Sequence, residues 1–222
     1  KQYEQSLEKG DAAVVRTLGT EGQSGQVRTI EATYKAPYLA HATMEPMNCT
    51  ARVADGKVEL WMPDQSPTLM RLAAAKAADV SQADVTVHTT FLGGGFGRRA
   101  EADLVREAVA CALAMPGRPV QVLWSREEDI RNDPYRPMAL ARWRAELGQA
   151  GAQVSAAKRQ VAQSPADQFP SRNIGLPPQG KPEGNAVENP PYAFPFYKLE
   201  SIVADGPVPV GFWRSVGHSH TA

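Results

Sequence analysis

The sequence is poor in several things, and each shortage excludes something. Cysteine is scarce: Cys49 and Cys111 are the only two in 222 residues. That is too few for a disulfide framework or a cysteine-rich zinc site. A single bridge stays open, so cysteine usage leaves the redox compartment undecided. Neither sign of charge is in excess, with 24 Lys+Arg against 24 Asp+Glu and a formal net charge of zero. Counterion release from nucleic acid needs a clustered basic surface, and this balance gives no electrostatic reason to expect such a partner. No apolar run approaches the roughly 18 residues of a membrane-spanning helix, so no transmembrane segment is expected. The opening Lys1-Gln2-Tyr3-Glu4 has no initiator Met, basic n-region or apolar h-region. A targeting peptide is expected to have been removed or never included. The closing Ser219-His220-Thr221-Ala222 carries no terminating signal, and the chain reads as a piece of a larger protein.

What is present is ordinary globular material, 42% hydrophobic and 22% charged, unlike the composition of disordered chains. The length suits one large domain or two small ones. Residues 1–26 are polar and Gly-rich and read as a lead-in segment, ahead of a domain over 27–222. A strand is expected over Val27–Tyr34. Asp55-Gly56, between apolar runs at 51–54 and 57–62, is a hairpin-turn signal. Ser66-Pro67 opens a helix that runs to about Ala78, with Ser66 as its cap and Leu69, Leu72, Ala73 and Ala77 at helical spacing. Val85, Val87, Thr89 and Phe91 alternate as a strand. A second main helix covers Glu101–Met115, with an apolar stripe of Leu104, Val105, Ala108, Val109 and Ala112, and ends at Pro116-Gly117. A short strand at 119–124 leads into a short helix through the Ser125/Glu128 capping pattern. Two long strands, 137–147 and 153–161, follow, and 196–204 returns to strand character. Residues 164–195 hold eight of the 18 prolines; missing donors and fixed φ argue for a long loop there, either functional or ordered by a partner. The expected class is α+β, with mixed and antiparallel sheets and two main helices.

Three groups of residues can carry chemistry. The first is Phe91-Leu92-Gly93-Gly94-Gly95-Phe96-Gly97-Arg98-Arg99, between an expected strand and an expected helix. Glycines let a backbone approach a ligand closely. A following helix would offer unpaired N–H groups, and two arginines would add charge for an anion. The dinucleotide and P-loop patterns do not fit: Arg98 stands where a third glycine belongs, and Gly-Arg-Arg stands where Gly-Lys-Ser/Thr belongs. The alternative is a Gly-rich turn with two solvated arginines. The second group is Tyr38-Leu39-Ala40-His41-Ala42-Thr43-Met44-Glu45-Pro46, where His41 and Glu45 stand at i, i+4. They are an acid–base or ligand pair, or a His–carboxylate bond that fixes a loop. The third is Gly211-Phe212-Trp213-Arg214-Ser215-Val216-Gly217-His218-Ser219, where glycines and aromatics flank Arg214: a setting that can hold a guanidinium near a ligand, or a strand-to-loop junction. His218 and His220 can chelate a metal, although a chain end makes this incidental. Asn48-Cys49-Thr50 matches a glycosylation acceptor.

Taken in order, AHATMEP (40–46), LGGGFGRR (92–99), VLWSREEDIRNDPYRP (122–137) and FWRSVGHS (212–219) resemble the large subunit of the xanthine dehydrogenase superfamily. The similarity extends over most of 27–222 and points towards isoquinoline 1-oxidoreductase beta subunits and related molybdopterin-binding aldehyde dehydrogenases. The resemblance implies a molybdenum-cofactor-binding-domain-like fold and an oxidoreductase that hydroxylates an N-heterocycle or aldehyde with water as the oxygen source. It implies molybdopterin cytosine dinucleotide with Mo, and iron–sulfur clusters on a small partner subunit. Gly94, Gly95, Phe96 and Gly97 would then hold the cofactor, with Arg214, Ser215 and Gly217 on its other side. Ala100 stands where purine-oxidising relatives carry a substrate-binding Glu, which speaks against a purine. Leu39 stands where many relatives carry Gln. The family's general-base Glu lies in a Gly-x-Gly-Glu-like segment that does not follow His218, so it is expected beyond Ala222. No catalytic residue and no direct metal ligand is therefore assigned here, and the isolated chain is expected to be inactive and to hold the pterin weakly. Its partners would be the remainder of its own subunit, the iron–sulfur subunit and a small-molecule substrate. Twin-arginine export signals in many relatives imply a periplasmic location, while composition is equally compatible with the cytoplasm. The competing reading is a non-catalytic binding or interaction module that keeps the fold.

Overall fold

A computed structural model describes residues 1–21, 27–180, 188, 190 and 192–218. In chain order these form α1 (Gln2–Lys9), β1 (Ala13–Gly19), β2 (Arg28–Ala36), β3 (Asn48–Ala54), β4 (Lys57–Met62), α2 (Pro67–Ala78), β5 (Val85–Thr89) and α3 (Asp103–Leu113). Then follow β6 (Val120–Leu123), α4 (Arg126–Arg131), β7 (Ala139–Leu147), β8 (Gln153–Ala162), α5 (Pro165–Ile174) and β9 (Phe196–Val203). The expected α+β class with mixed sheets is what the chain adopts. No helix among the described residues is long and apolar enough to cross a membrane.

The described residues divide into two compact units. The first draws on 1–39, 135–168 and 178–222. Its five-stranded sheet has the order β1-β9-β8-β7-β2, antiparallel except for the parallel pair β8/β9. Tyr3 and Leu7 of α1 pack on Leu140, Val161 and Ile202 of one sheet face. On the other face Ala156, Tyr197 and Leu199 meet Trp143, Val15, Leu18 and Phe194. The lead-in expectation is corrected here. Residues 2–9 and 13–19 are a helix and an edge strand, because two well-placed apolar side chains suffice for a short helix to dock on a sheet. Residues 22–26 of that segment lie outside the described ones.

The second unit draws on 40–134 and 169–177. Its sheet has the order β5-β4-β3-β6, with β4 and β5 parallel and the other pairs antiparallel. The β3–β4 hairpin turns at Asp55 (φ 49°) and Gly56 (φ 73°), the two left-handed residues that its Asp-Gly signal demands. β4, α2 and β5 make a parallel crossover. The α3 stripe Leu104, Val105, Ala108, Val109 and Ala112 is buried in full, each large side chain stabilising by about 1.5–3 kcal/mol. In α2 the buried face is Met70, Ala73, Ala74 and Ala75, slightly rotated from the expected stripe. Ser66 makes no side-chain cap; the Asp64 carboxylate instead accepts the Ser66 N–H at 3.0 Å. Ser125 does cap α4, accepting the Glu128 N–H at 3.2 Å.

The proline-rich stretch also needs correcting, since α5 occupies its start. Pro165 falls in the first turn, where a missing N–H costs nothing; Pro170, inside the helix, forfeits one bond. Side chains near its C-terminal end compensate. Asn173 accepts the Ala102 N–H at 2.9 Å and donates to Glu101 at 2.6 Å, and Arg172 pairs with Glu101 at 2.6 Å. Residues 181–187, 189 and 191 of the same stretch lie outside the described ones.

Candidate cofactor-binding site

The glycine loop leaves β5 and reaches α3 through a single 3-10 turn, Arg98–Ala100. It is therefore not mounted directly on the N-terminus of α3, as the sequence led one to expect. Gly94 (φ 99°), Phe96 (φ 52°) and Gly97 (φ 102°) have positive φ, whereas Gly95 does not. An alternation of this kind curls successive main-chain N–H groups into an anion-binding concavity. Gly93 is required for another reason: a Cβ there would lie 2.4 Å from the Glu45 Cβ. Gly93 and Phe96 are exposed, Gly94 and Gly97 half-buried, and Gly95 buried.

The loop's N–H groups are unequally satisfied. That of Gly93 donates to Glu45 Oε2 at 2.8 Å, that of Gly97 to Gln65 Oε1 at 2.9 Å, and that of Arg98 to the Gly95 carbonyl at 2.8 Å. Among the described residues no acceptor meets the N–H of Gly94 or Gly95.

The two arginines are not solvated but buried and paired with carboxylates. Arg98 and Arg99 are 1% and 0% exposed. Arg98 makes a two-pronged bond to Asp103, at 3.0 and 2.7 Å, lies 3.4 Å from Asp133, and stacks on Trp124 at 5.5 Å. Burial works against its charge, but Asp103, Asp133 and Glu101 outweigh it, and its pKa is raised. Arg99 donates through Nε to the Gly94 carbonyl at 2.9 Å. Its Nη2 reaches the Glu45 carbonyl at 2.7 Å, the Glu45 carboxylate at 3.1 Å and the Pro46 carbonyl at 3.2 Å. Burial depresses the Arg99 pKa against the pull of Glu45 and Asp129.

His41 and Glu45 do not pair, because residues 40–47 are not helical. His41 Nδ1 instead lies 2.8 Å from Asp133, whose second oxygen accepts the His41 main-chain N–H at 2.5 Å. A His–carboxylate bond does fix the loop, with Asp133 as its carboxylate. Glu45 serves the glycine loop and also accepts from Asn48 Nδ2 at 2.8 Å. The Asn48 amide, spent on Glu45 and the Pro46 carbonyl, is no open glycosylation acceptor. From the third motif, Arg126 donates to the carbonyls of Thr43 and Met44, the latter at 3.0 Å, and pairs with Asp129 at 2.5 Å. Burial raises the Asp129 pKa despite the neighbouring Arg98 and Arg126. Segments 41–48, 93–99 and 124–133 are thus one hydrogen-bonded network within the second unit.

The fourth motif belongs to the first unit, so Gly94–Gly97 and Arg214, Ser215 and Gly217 fall in different units. Arg214 is exposed, Ser215 half-buried and Gly217 buried. The guanidinium over the Trp213 ring is that of Arg136, at 5.8 Å. The Ser215 hydroxyl is buried with no hydrogen-bond partner among the described residues. His218 Nδ1 lies 3.1 Å from the Ser215 carbonyl oxygen, and His220 is outside the described residues. No cluster of three or more His, Cys, Asp or Glu among the described residues is arranged to hold a metal ion. Gln65 carried no sequence signal, and the part of Asp133 was hidden inside a longer motif.

Residues 2–163 match the molybdopterin cofactor-binding domain family. The chain is 28% identical over 218 residues to isoquinoline 1-oxidoreductase subunit beta of Brevundimonas diminuta, covering 88% of this chain and 27% of that protein. It is 34% identical over 125 residues to the aldehyde oxidoreductase molybdenum-binding subunit of Escherichia coli, covering 55% of this chain and 17% of the relative. The chain thus spans about a quarter or less of the length of these relatives. Quinoline 2-oxidoreductase from Pseudomonas putida 86 superposes with a TM-score of 0.72 at 21% identity, over 96% of this chain and 29% of that one. Aldehyde oxidoreductase from Desulfovibrio desulfuricans gives 0.74 at 14% identity, over 93% and 23%. At those identities the structural likeness speaks for the fold alone. The match over residues 2–163 carries the assignment further: the chain belongs to the molybdopterin cofactor-binding domain family.

Proposed function

We propose that the Gly93–Gly97 loop cradles oxygen atoms of a molybdopterin cofactor, and that the chain is the cofactor-binding domain of a molybdenum-dependent oxidoreductase. One observation carries this reading. Two adjacent amides, Gly94 and Gly95, have no acceptor among the described residues, in a loop whose Gly93 and Gly97 amides are taken. Vacant main-chain donors free of side-chain bulk suit a ligand rich in oxygen and phosphate. Gly97 contributes conformation rather than a donor, since Gln65 occupies its N–H. Phe96 turns the chain between them. The domain extends over both units in this reading. Arg214, Ser215 and Gly217 are assigned to cofactor binding on the family resemblance, supported by the orphaned Ser215 hydroxyl. The donor set offers N–H groups and no ligand cluster, so the pterin, rather than side chains, would carry the metal.

When bound, the cofactor supplies two-electron oxidation of substrate with oxygen from water. The residues of this chain bind and orient it; none is assigned a proton transfer. The names of the relatives favour an N-heterocycle or an aldehyde as substrate. The cytosine dinucleotide form of the pterin and an iron–sulfur partner follow from the same resemblance. The test is Gly95→Val in the full gene product, produced with its iron–sulfur partner. The new Cβ would lie 2.5 Å from Gln65 Oε1, the mobile end of an exposed side chain, so the fold survives while the cradle fills. Molybdenum and pterin per chain should fall to background with the circular dichroism spectrum retained. Near-normal molybdenum content would refute the cradle.

A further inference from the structure

We infer that the first unit carries a binding cavity for a neutral, largely apolar molecule with a single hydrogen-bond acceptor. The cavity shares no residue with the glycine loop, and a ligand could occupy it whether or not that loop holds a pterin. It forms where the first turn of α1, the end of β2, the start of β7 and residues 205–208 meet. Its volume of about 610 Å³ falls within the roughly 300–1,000 Å³ of small-molecule sites. Ala36, Pro37, Met138, Leu140 and Val208 make most of its lining apolar. Pro37, Asp205, Gly206 and Pro207 are exposed, which leaves an entrance. The charged lining residues cancel, Lys1 and Lys35 against Glu4 and Asp205, and Lys35 already sits 2.6 Å from Glu4. An ionic ligand would therefore gain little from the rim and would be desolvated by the walls.

The polar chemistry comes from two phenols and one carboxamide. Tyr3 and Tyr38 line the cavity, and both hydroxyls converge on Oε1 of Gln163, a fully buried side chain. Tyr38 holds that oxygen at 2.5 Å, whereas the Tyr3 hydroxyl stands off at 3.5 Å, at the outer limit of a hydrogen bond. Gln163 is not free to move closer, because its Nε2 donates to the Val208 carbonyl at 2.9 Å and the Gly206 carbonyl at 3.4 Å. Tyr3 is only 8% exposed, and burial, reinforced by Tyr38, holds its phenol above the ordinary pKa, so its proton stays on. A buried O–H with a poor acceptor costs free energy that a ligand oxygen or ring nitrogen can recover. The same Gln163 bonds fix the 205–208 turn, so the frame is formed before a ligand arrives. An underused donor, apolar walls and no spare charge together set the class of ligand.

The test uses the full gene product and benzophenone, an apolar ketone with one acceptor oxygen that is neither an aldehyde nor an N-heterocycle. Near-ultraviolet light inserts it into neighbouring C–H bonds, so the bound molecule marks its own site. Diphenylmethane has nearly the same shape without the oxygen. Equilibrium dialysis should show a saturable benzophenone site, and irradiation should label peptides carrying residues 1–4, 35–38, 138–140 or 205–208. Tyr3→Phe should weaken benzophenone binding roughly three- to tenfold, the worth of one hydrogen bond, and leave diphenylmethane binding unchanged. Ala36→Trp should fill the cavity and abolish the binding of both, with the circular dichroism spectrum retained. The isosteric Tyr3→Phe decides even where Ala36→Trp fails to fold. No saturable binding, as when another part of the full chain fills the cavity, or labelling confined to other segments, overturns the site. Equal benzophenone affinity in wild type and Tyr3→Phe overturns the recognition of an acceptor by Tyr3.

Discussion

Replacing Arg98 by alanine separates two pictures of the Gly-Arg-Arg sequence, a pair of solvated cations and a pair of internal struts. The structure gives the size of the difference. Arg98 is buried and makes two parallel bonds to Asp103, whose side chain is 34% exposed. That exposure discounts the pair, leaving about 1–2 kcal/mol. Stacking on Trp124 adds about 1 kcal/mol. The larger effect is on Asp133, whose buried carboxylate would lose the cation 3.4 Å away and keep only His41. Stranding a buried charge in this way brings the expected total to about 3–5 kcal/mol, a large share of the 5–15 kcal/mol typical of a domain. Urea unfolding reads this directly: with a slope near 2 kcal/mol/M, the midpoint should drop by about 2 M. Arg98→Lys keeps the charge but not the fork and should lose roughly half as much. A solvated arginine predicts a change within about 0.5 kcal/mol. A midpoint shift below about 0.3 M in Arg98→Ala would therefore refute the strut assignment.

Two further outcomes are expected. Lys158, in the middle of β8, is buried with no hydrogen-bond partner for Nζ among the described residues and the Trp143 ring at 5.3 Å; burial pushes its pKa down to about 7 from 10.5. The unfolded chain binds the extra proton between those values, so stability rises with pH across that window and the penalty is complete below about pH 7. Lys158→Met should stabilise by on the order of 3–5 kcal/mol at pH 6, with the gain shrinking towards pH 10; a pH-independent gain in urea unfolding would rule this out. Cys49 is buried and its thiol pushed up to about 12 by burial, whereas Cys111 is exposed. One thiol should react with a thiol reagent in the folded chain and the second only on denaturation, and fast double labelling would contradict the core placement of β3.

How much of this was legible in the sequence depends on whether the signal was local. The α3 stripe, the Asp55-Gly56 turn and the Ser125 cap are short-range patterns, and each was readable because the physics is confined to a few residues. α1 was missed because its docking depends on only two apolar side chains and on a sheet built from residues more than 130 positions away. α5 was missed because proline density argued against any helix, while Asn173 and Arg172 anchor it to Glu101, 72 and 71 positions distant in sequence. The glycine loop was recognisable as a turn with no room for side chains, as Gly93 beside Glu45 shows. Its two vacant amides were not, since which N–H is taken depends on Glu45 and Gln65, and nothing in their local sequence announces that use. The Arg98-Arg99 pair misled for a related reason: sequence shows a charge but not the carboxylate that consumes it.

That consumption bears on how the loop would hold a ligand. Around it stand the guanidinium groups of Arg98, Arg99 and Arg126 and the carboxylates of Glu45, Asp103, Asp129 and Asp133. Every one of the three cations is committed to a carboxylate, and the carboxylates outnumber them, so the network offers no net positive field to an incoming anion. In the proposed reading, attraction would come instead from oriented N–H dipoles at Gly94 and Gly95, whose pull falls off steeply with distance and angle. A site of that kind discriminates by where an oxygen sits more than by how much charge it carries. It also explains why so many buried ionic contacts are spent on fixing a few residues of main chain. Arg99 holds the Gly94 carbonyl, Glu45 the Gly93 amide and Asp133 the Arg98 side chain, so a misplaced carboxylate anywhere in the network would be felt as a displaced amide at the loop.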